Sequence, residues 1–217
     1  MKRSGYRSTI ASLLAVLVFA IIFKPSSDQA QLIVDIGNAN LAPDMPNQFV
    51  DILVNNTSGS AISVIGINVE VQVADGGPAA GGTIVGPSIT DVDVITDTPF
   101  ASNNDGPGGS GSSGPQVFES STLTFSGTVP LQPGESKLAR ITFDTTGFHD
   151  PATWDLKLNG TVNGDTYYFD SVGNPLDPTF VAGTISVVPE PSQYSLMVSV
   201  FLGVFAAFRR LRIRPGR

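Results

Sequence analysis

Ile65-Gly66-Ile67-Asn68-Val69-Glu70-Val71-Gln72-Val73 places an apolar residue at every second position without a break. Side chains of an extended chain point alternately to opposite faces. Ile65, Ile67, Val69, Val71 and Val73 therefore share one face, and Gly66, Asn68, Glu70 and Gln72 share the other. A helix would scatter the same residues around its axis. The β-branched residues also suit a pleated surface. The stretch is a strand with one face for a core and one polar face.

The same period recurs on both sides of it. Leu123, Phe125, Gly127 and Val129 alternate with Thr122, Thr124, Ser126 and Thr128. Trp154, Leu156, Leu158, Gly160 and Val162 alternate with Asp155, Lys157, Asn159 and Thr161, which puts Trp154 in register with the core face. Shorter candidates cover 32–37, 49–55, 83–85, 89–96, 116–119, 137–143, 166–170 and 181–187. Turn signals separate them at Asn55-Asn56-Thr57-Ser58-Gly59, Asp75-Gly76-Gly77-Pro78, Pro133-Gly134, Asn163-Gly164-Asp165 and Gly173-Asn174-Pro175. Asn163-Gly164 between two alternating runs predicts a hairpin. No segment from Leu32 to Val187 keeps a helical period. Many short strands with one polar face each need a second sheet to cover their apolar faces, so the expected class is all-β, a two-sheet antiparallel β-sandwich of jelly-roll type. The Gly/Ser/Asn-rich segment 97–115 is expected to project from its edge as a flexible excursion.

The chain has 217 residues, no Cys, one His and a formal net charge of −7. That charge hides a partition. Nine of the twelve basic residues lie in 1–24 and 209–217, whereas Gln31 to Val188 holds seventeen Asp or Glu against Lys137, Arg140 and Lys157. An acidic middle repels phosphate backbones and argues against nucleic acid as a partner. The absence of Cys removes thiolate chemistry and Cys-based metal sites.

Lys2, Arg3 and Arg7 precede an apolar run from Ile10 to Phe23, followed by a polar exit to Gln31. This order reads as a secretory signal over residues 1–30, and an uncleaved anchor is the alternative. At the other end Val188-Pro189-Glu190-Pro191-Ser192 leads into an uncharged run from Tyr194 to Phe208, closed by Arg209, Arg210, Arg212 and Arg214. Arginines after an apolar helix hold its end on the cytoplasmic side. At ~1.5 Å per residue this run spans only ~22 Å of a ~30 Å hydrocarbon core. Such a span suits a transient anchor. The ordered set over 188–217 resembles the PEP-CTERM sorting domain. That resemblance implies recognition by an exosortase-type enzyme, removal of the tail near Pro189–Pro191, and delivery to the cell surface or exopolysaccharide matrix. The chain thus divides into a signal helix (1–30), an acidic β-domain (31–187) and a sorting tail with a single hydrophobic helix (188–217).

Three patterns qualify the middle further. Leu32-Ile33-Val34-Asp35-Ile36 leads to a strand ending Asn55-Asn56; Leu131-Gln132-Pro133-Gly134-Glu135 precedes Ala139-Arg140-Ile141-Thr142-Phe143-Asp144; Tyr168-Phe169-Asp170 and Gly173-Asn174 precede Gly183-Thr184-Ile185-Ser186-Val187. In that order they resemble cohesin domains and related carbohydrate-binding-like sandwiches. The resemblance implies a module that engages a protein partner or exopolysaccharide.

Candidate chemistry is sparse. Gly106-Pro107-Gly108-Gly109-Ser110-Gly111 matches GxGxxG, but Pro115 and a strand follow instead of the helix that phosphate binding needs. His149 beside Asp150 has no positioned nucleophile, and neighbouring side chains on an extended segment diverge. The chain reads as no enzyme. Asp91 and Asp93 share a strand face, and with Asp97 and Asp105 they could supply oxygens to Ca²⁺, the one cofactor the sequence suggests. A solvated acidic face is the simpler reading. Tyr167 and Tyr168 are the candidates for stacking on a sugar ring, although only one of two adjacent residues can point outward. The expected role is structural or interacting, at the cell surface or in the matrix, with a Ca²⁺-stabilised binding module as the alternative.

Overall fold

The computed structural model describes residues 32–160, 162, 166–188, 199, 200 and 202, without the side chain of Ser110. The signal segment 1–30, the sorting motif from Pro189 onward with its arginines, and the Asn163-Gly164 turn lie outside the described residues.

Strands β1 (Leu32–Asp35), β2 (Asn38–Leu41), β3 (Gln48–Asn56), β4 (Ile62–Val73) and β5 (Ser88–Asp93) open the domain. They are followed by β6 (Gly108–Gly114), β7 (Val117–Leu123), β8 (Val129–Leu131), β9 (Gly134–Asp144) and β10 (Ala152–Lys157). The last are β11 (Tyr167–Asp170), β12 (Pro175–Leu176), β13 (Thr179–Val181) and β14 (Gly183–Val187). Two sheets result. One runs β13-β1-β3-β9-β5; the other runs β12-β11-β4-β10-β14-β2, with β7 and β8 also on β4 and β6 on β7. Pairing is antiparallel except for β1 with β13 and β14 with β2, which are parallel.

The core lies between the sheets. Val34, Ile52, Val54, Leu138, Ile141 and Phe143 face Ile67, Val69, Val71, Val73, Leu156 and Ile185 from the other sheet, all fully buried. Each such side chain stabilises the fold by roughly 1.5–3 kcal/mol. The inner row of β4 is the alternation that defines the strand, with one slip. The ladder shifts between Gly66 and Val64, so Val64 takes the buried position that strict alternation assigns to Ile65. On the opposite face Glu70 and Gln72 are only 1% exposed. The segment after β10 lies over them: a Cβ on Gly160 would meet Gln72 Oε1 and Glu70 Oε1, so a side chain there would push both aside.

Several expected strands are corrected. Residues 83–85 are not a strand, because the Asp75 carboxylate takes the amides of Thr83 and Ile84. The run 122–129 breaks at Leu123, and Phe125 turns out to solvent at 81% exposure. The excursion 97–115 does not project freely. Phe100 is 1% exposed in the core, Thr98 Oγ1 donates to the Val94 carbonyl at 2.8 Å, and Asn104 Nδ2 donates to the Phe100 carbonyl at 2.8 Å. Asn103 and Ser126 exchange two further bonds, and Gly108–Gly114 adds β6 to the sheet edge. A Gly/Ser-rich chain has no side chains to obstruct pairing, and a strand edge offers its backbone groups partners.

Candidate functional site

The outer face of β4 near its midpoint carries a partly exposed apolar surface. Two rows cross it: Leu123, Gly66 and Phe169 are in register, and so are Ser121, Asn68 and Tyr167. Tyr167 and Phe169 meet edge to face with ring centroids 5.0 Å apart, a favoured aromatic geometry. Gly66 decides the shape of the patch. A Cβ there would collide with Leu123 Cδ2 and lie 2.8 Å from the Thr122 carbonyl, so Leu123 and Phe169 close over bare backbone. Leu123 stays 45% exposed. At the same end of the sheet, Thr124 donates to the Ile65 carbonyl and leads into Phe125, while Asp170 pairs with Val64 and begins the turn carrying Val172, itself 77% exposed. A contiguous apolar and aromatic strip rimmed by polar residues has the make-up of a docking surface.

Tyr167 and Tyr168 are split by register, and the stacking pair is corrected accordingly. Tyr168 pairs with Ile67 and is 1% exposed in the core, so its ring cannot meet a sugar. Tyr167 lies on the outer face. The four aspartates do not converge, so the expected Ca²⁺ set is corrected too. Asp91 faces solvent; Asp93 accepts the amides of Ile95 and Thr96 at 2.8 and 2.9 Å; Asp97 lies 3.4 Å from Lys137; Asp105 accepts the Leu123 amide at 3.2 Å at the far end of the excursion. Among the described residues no group of three or more His, Cys, Asp or Glu is placed to hold a metal. His149 is exposed, 4.0 Å from Asp44. Trp154 packs edge to face on Phe148 and donates to the Val85 carbonyl at 3.2 Å.

The outer face of the other sheet holds an ion-pair cluster that no local motif announces. Arg140 grips Asp51 through Nε at 2.7 Å and Nη2 at 2.8 Å, and its guanidinium lies 4.3 Å over the Phe49 ring. The Arg140 guanidinium holds the Asp51 carboxyl below its usual range, with Lys137 adding to the effect. Its partners are far apart in sequence and meet only through the pairing of β3 with β9.

No family model and no curated protein sequence matches the chain. Solved structures do share its architecture. The seventh ScaB type I cohesin from Pseudobacteroides cellulosolvens superposes with a TM-score of 0.51 at 16% identity, covering 74% of this chain and 94% of that one. The fold is cohesin-like. A type I cohesin–dockerin complex from Clostridium thermocellum superposes with a TM-score of 0.51 at 10% identity over 73% of this chain and 99% of that one. The third ScaC cohesin of Acetivibrio cellulolyticus, solved with the ScaB dockerin, gives 0.51 at 15% identity over 73% and 99%. At these identities the likeness concerns the cohesin-like fold alone.

Proposed function

We propose that the chain is an exported surface or matrix protein whose cohesin-like sandwich is a non-catalytic docking module for another protein. The observation that carries this reading is the partly exposed strip of Leu123, Phe169 and Tyr167 across Gly66, with Phe125 and Val172 at its end. Aromatic side chains held rigidly at the centre of an exposed patch are the usual anchors of protein interfaces. Two of the similar structures are complexes in which a cohesin holds a dockerin, and a protein of dockerin type is the partner class this reading favours.

Delivery belongs to the same proposal and rests on the two ends of the sequence. Residues 1–30 direct export, and residues 188–217 engage an exosortase-type enzyme while their apolar run holds the membrane transiently. Mass spectrometry of the protein from its host's envelope and medium tests delivery: new termini near Ala30 and Pro189–Pro191 are expected, and an intact end at Arg217 would replace sorting with permanent anchoring. Crosslinking on the host surface tests docking. A partner crosslinked by the native chain should be lost with Leu123→Glu and kept with Lys157→Ala. Equal crosslinking by all three chains would remove the strip from the reading.

A further inference from the structure

The chain passes from the five-stranded sheet to the nine-stranded one in a single residue, Ala182, between β13 and β14. Because β14 begins only at Gly183, β10 outruns it. Leu156 pairs with Gly183, and among the described residues those beyond have no strand partner on that side. The gap is an open notch of about 340 Å³. Ile36, Leu156 and Phe180 give it apolar surface, and Asp155, Lys157 and Asn159 give it polar groups at alternate positions along one strand direction. None of these three polar side chains makes a hydrogen bond or ion pair among the described residues, although Asp155 and Lys157 carry opposite charge.

The notch borders a polar strip, with which it shares Asp155 and Thr184. Asp155, Thr184 and Asn38 are in register across β10, β14 and β2, and so are Thr153, Ser186 and Asn40. Thr184 Oγ1 donates to Asn38 Oδ1 at 2.7 Å, and the hydroxyls of Thr153 and Ser186 lie 2.7 Å apart. These bonds tie neighbouring side chains to one another across the strands, and the strip presents hydroxyl and amide groups. Rows on a sheet repeat at ~7 Å along the strands and ~4.8 Å across them.

The chemistry selects a ligand class. A volume near the low end of small-ligand pockets, ~300 Å³, admits one ring. A phosphate would meet the Asp155 carboxylate, and a purely apolar ligand would desolvate an acid, an ammonium and an amide without return. A neutral ring carrying several hydroxyls satisfies all three: it donates to Asp155, accepts from Lys157 and does both with Asn159. Its C–H face packs on Phe180 and Ile36. We propose that the notch seats one pyranose unit of a neutral polysaccharide, with the next units lying along the strip.

This site lies on the β10–β14–β2 half of the sheet, away from the strip at Gly66, so the two readings stand or fall separately. The test uses the full chain in detergent micelles, titrated calorimetrically with linear hexasaccharides of glucose, mannose and galactose. Binding of at least one is expected. The double variant Asp155→Ala/Asn159→Ala, at exposed positions that leave the core intact, should weaken it about tenfold or more, the size of two lost hydrogen bonds. Leu123→Glu should leave it unchanged. No binding of any of the three, or binding that the double variant leaves intact, overturns the proposal.

Discussion

Lys137 and Arg140 stand three residues apart on β9 yet emerge from the same side of the sheet, and both reach Asp51. Strict alternation would send them to opposite faces. The register of β9 against β3 shifts between Ile52 and Leu53, and Leu138 and Ala139 both turn inward, each at most 1% exposed. A bulge of this kind re-aims a side chain without breaking the ladder around it.

Because the Arg140 and Asp51 side chains each keep about a third of their surface in water, solvent screens the pair and its contribution is modest. Arg140→Ala should destabilise the domain only slightly at neutral pH, as the loss of a surface bidentate pair does. The folded-state pKa of Asp51 lies below its unfolded value of about 3.9, so the pair's contribution is complete above that pH and is lost as pH falls. Urea titrations at neutral and strongly acidic pH check this, and an equal cost of the mutation at both would exclude Asp51 as the partner that matters.

Asp75 organises the loop after β4. Its carboxylate accepts from the amides of Thr83 at 2.6 Å, Ile84 at 3.0 Å and Gly77 at 3.2 Å, and from the Thr83 hydroxyl at 3.0 Å. The Thr83 amide first, with the others, holds its pKa down to about 2. A depressed pKa means the ordering is present above the unfolded value and vanishes as pH falls through about 2. Trp154, the sole tryptophan, bonds to Val85 in this loop and reports on it. Its emission should hold steady from neutral pH to about 4 and shift only on further acidification. Asp75→Ala should shift it at neutral pH, and an unchanged spectrum would sink the idea.

The Tyr168 hydroxyl is buried without a hydrogen-bond partner among the described residues, and burial pushes its pKa well above the ordinary phenol value. Removing an unpaired buried polar atom relieves its desolvation cost. Tyr168→Phe should therefore be neutral or stabilising by up to about 1 kcal/mol, whereas Tyr168→Ala should cost about 3–5 kcal/mol through the cavity it leaves. A clear loss of stability in the phenylalanine variant by thermal denaturation would reveal a partner for the hydroxyl.

Phe100 ties the glycine-rich excursion to the core. Phe100→Ala should cost about 3–5 kcal/mol and open the chain between Ala101 and Pro115 to limited proteolysis. Were this segment a free loop, the substitution would change neither stability nor cleavage.

What could be read from the chain beforehand was whatever depended on near neighbours. The two-residue period of β4 and the run 137–143 locate strands because one face must be buried, and the sandwich follows from their number. Register was beyond reach, because it is set by partners distant in sequence. Alternation says that one of Tyr167 and Tyr168 points outward, but only the pairing of Tyr168 with Ile67 says which. Asp91 and Asp105 look like one acidic loop until Asp105 is drawn to the Leu123 amide. Glu70 and Gln72 read as solvent-facing because the segment that covers them lies some ninety positions later, around Gly160. Composition misjudged 97–115, since it registers the entropy of glycine but not a free strand edge waiting beside it.

Strand β14 has a mechanical meaning. It is the last strand before the tail, and it is paired on both sides, with β10 along Gly183–Val187 and with β2 along Thr184–Val187, while the Val188 amide still bonds to the Leu41 carbonyl. A pull at Val188 along the strand axis loads the two ladders at once. Both ladders then resist in shear, sharing the force among all their bonds, instead of peeling one pair at a time. That end of the domain is clamped from both sides, and β14 can leave its sheet only by breaking two ladders together.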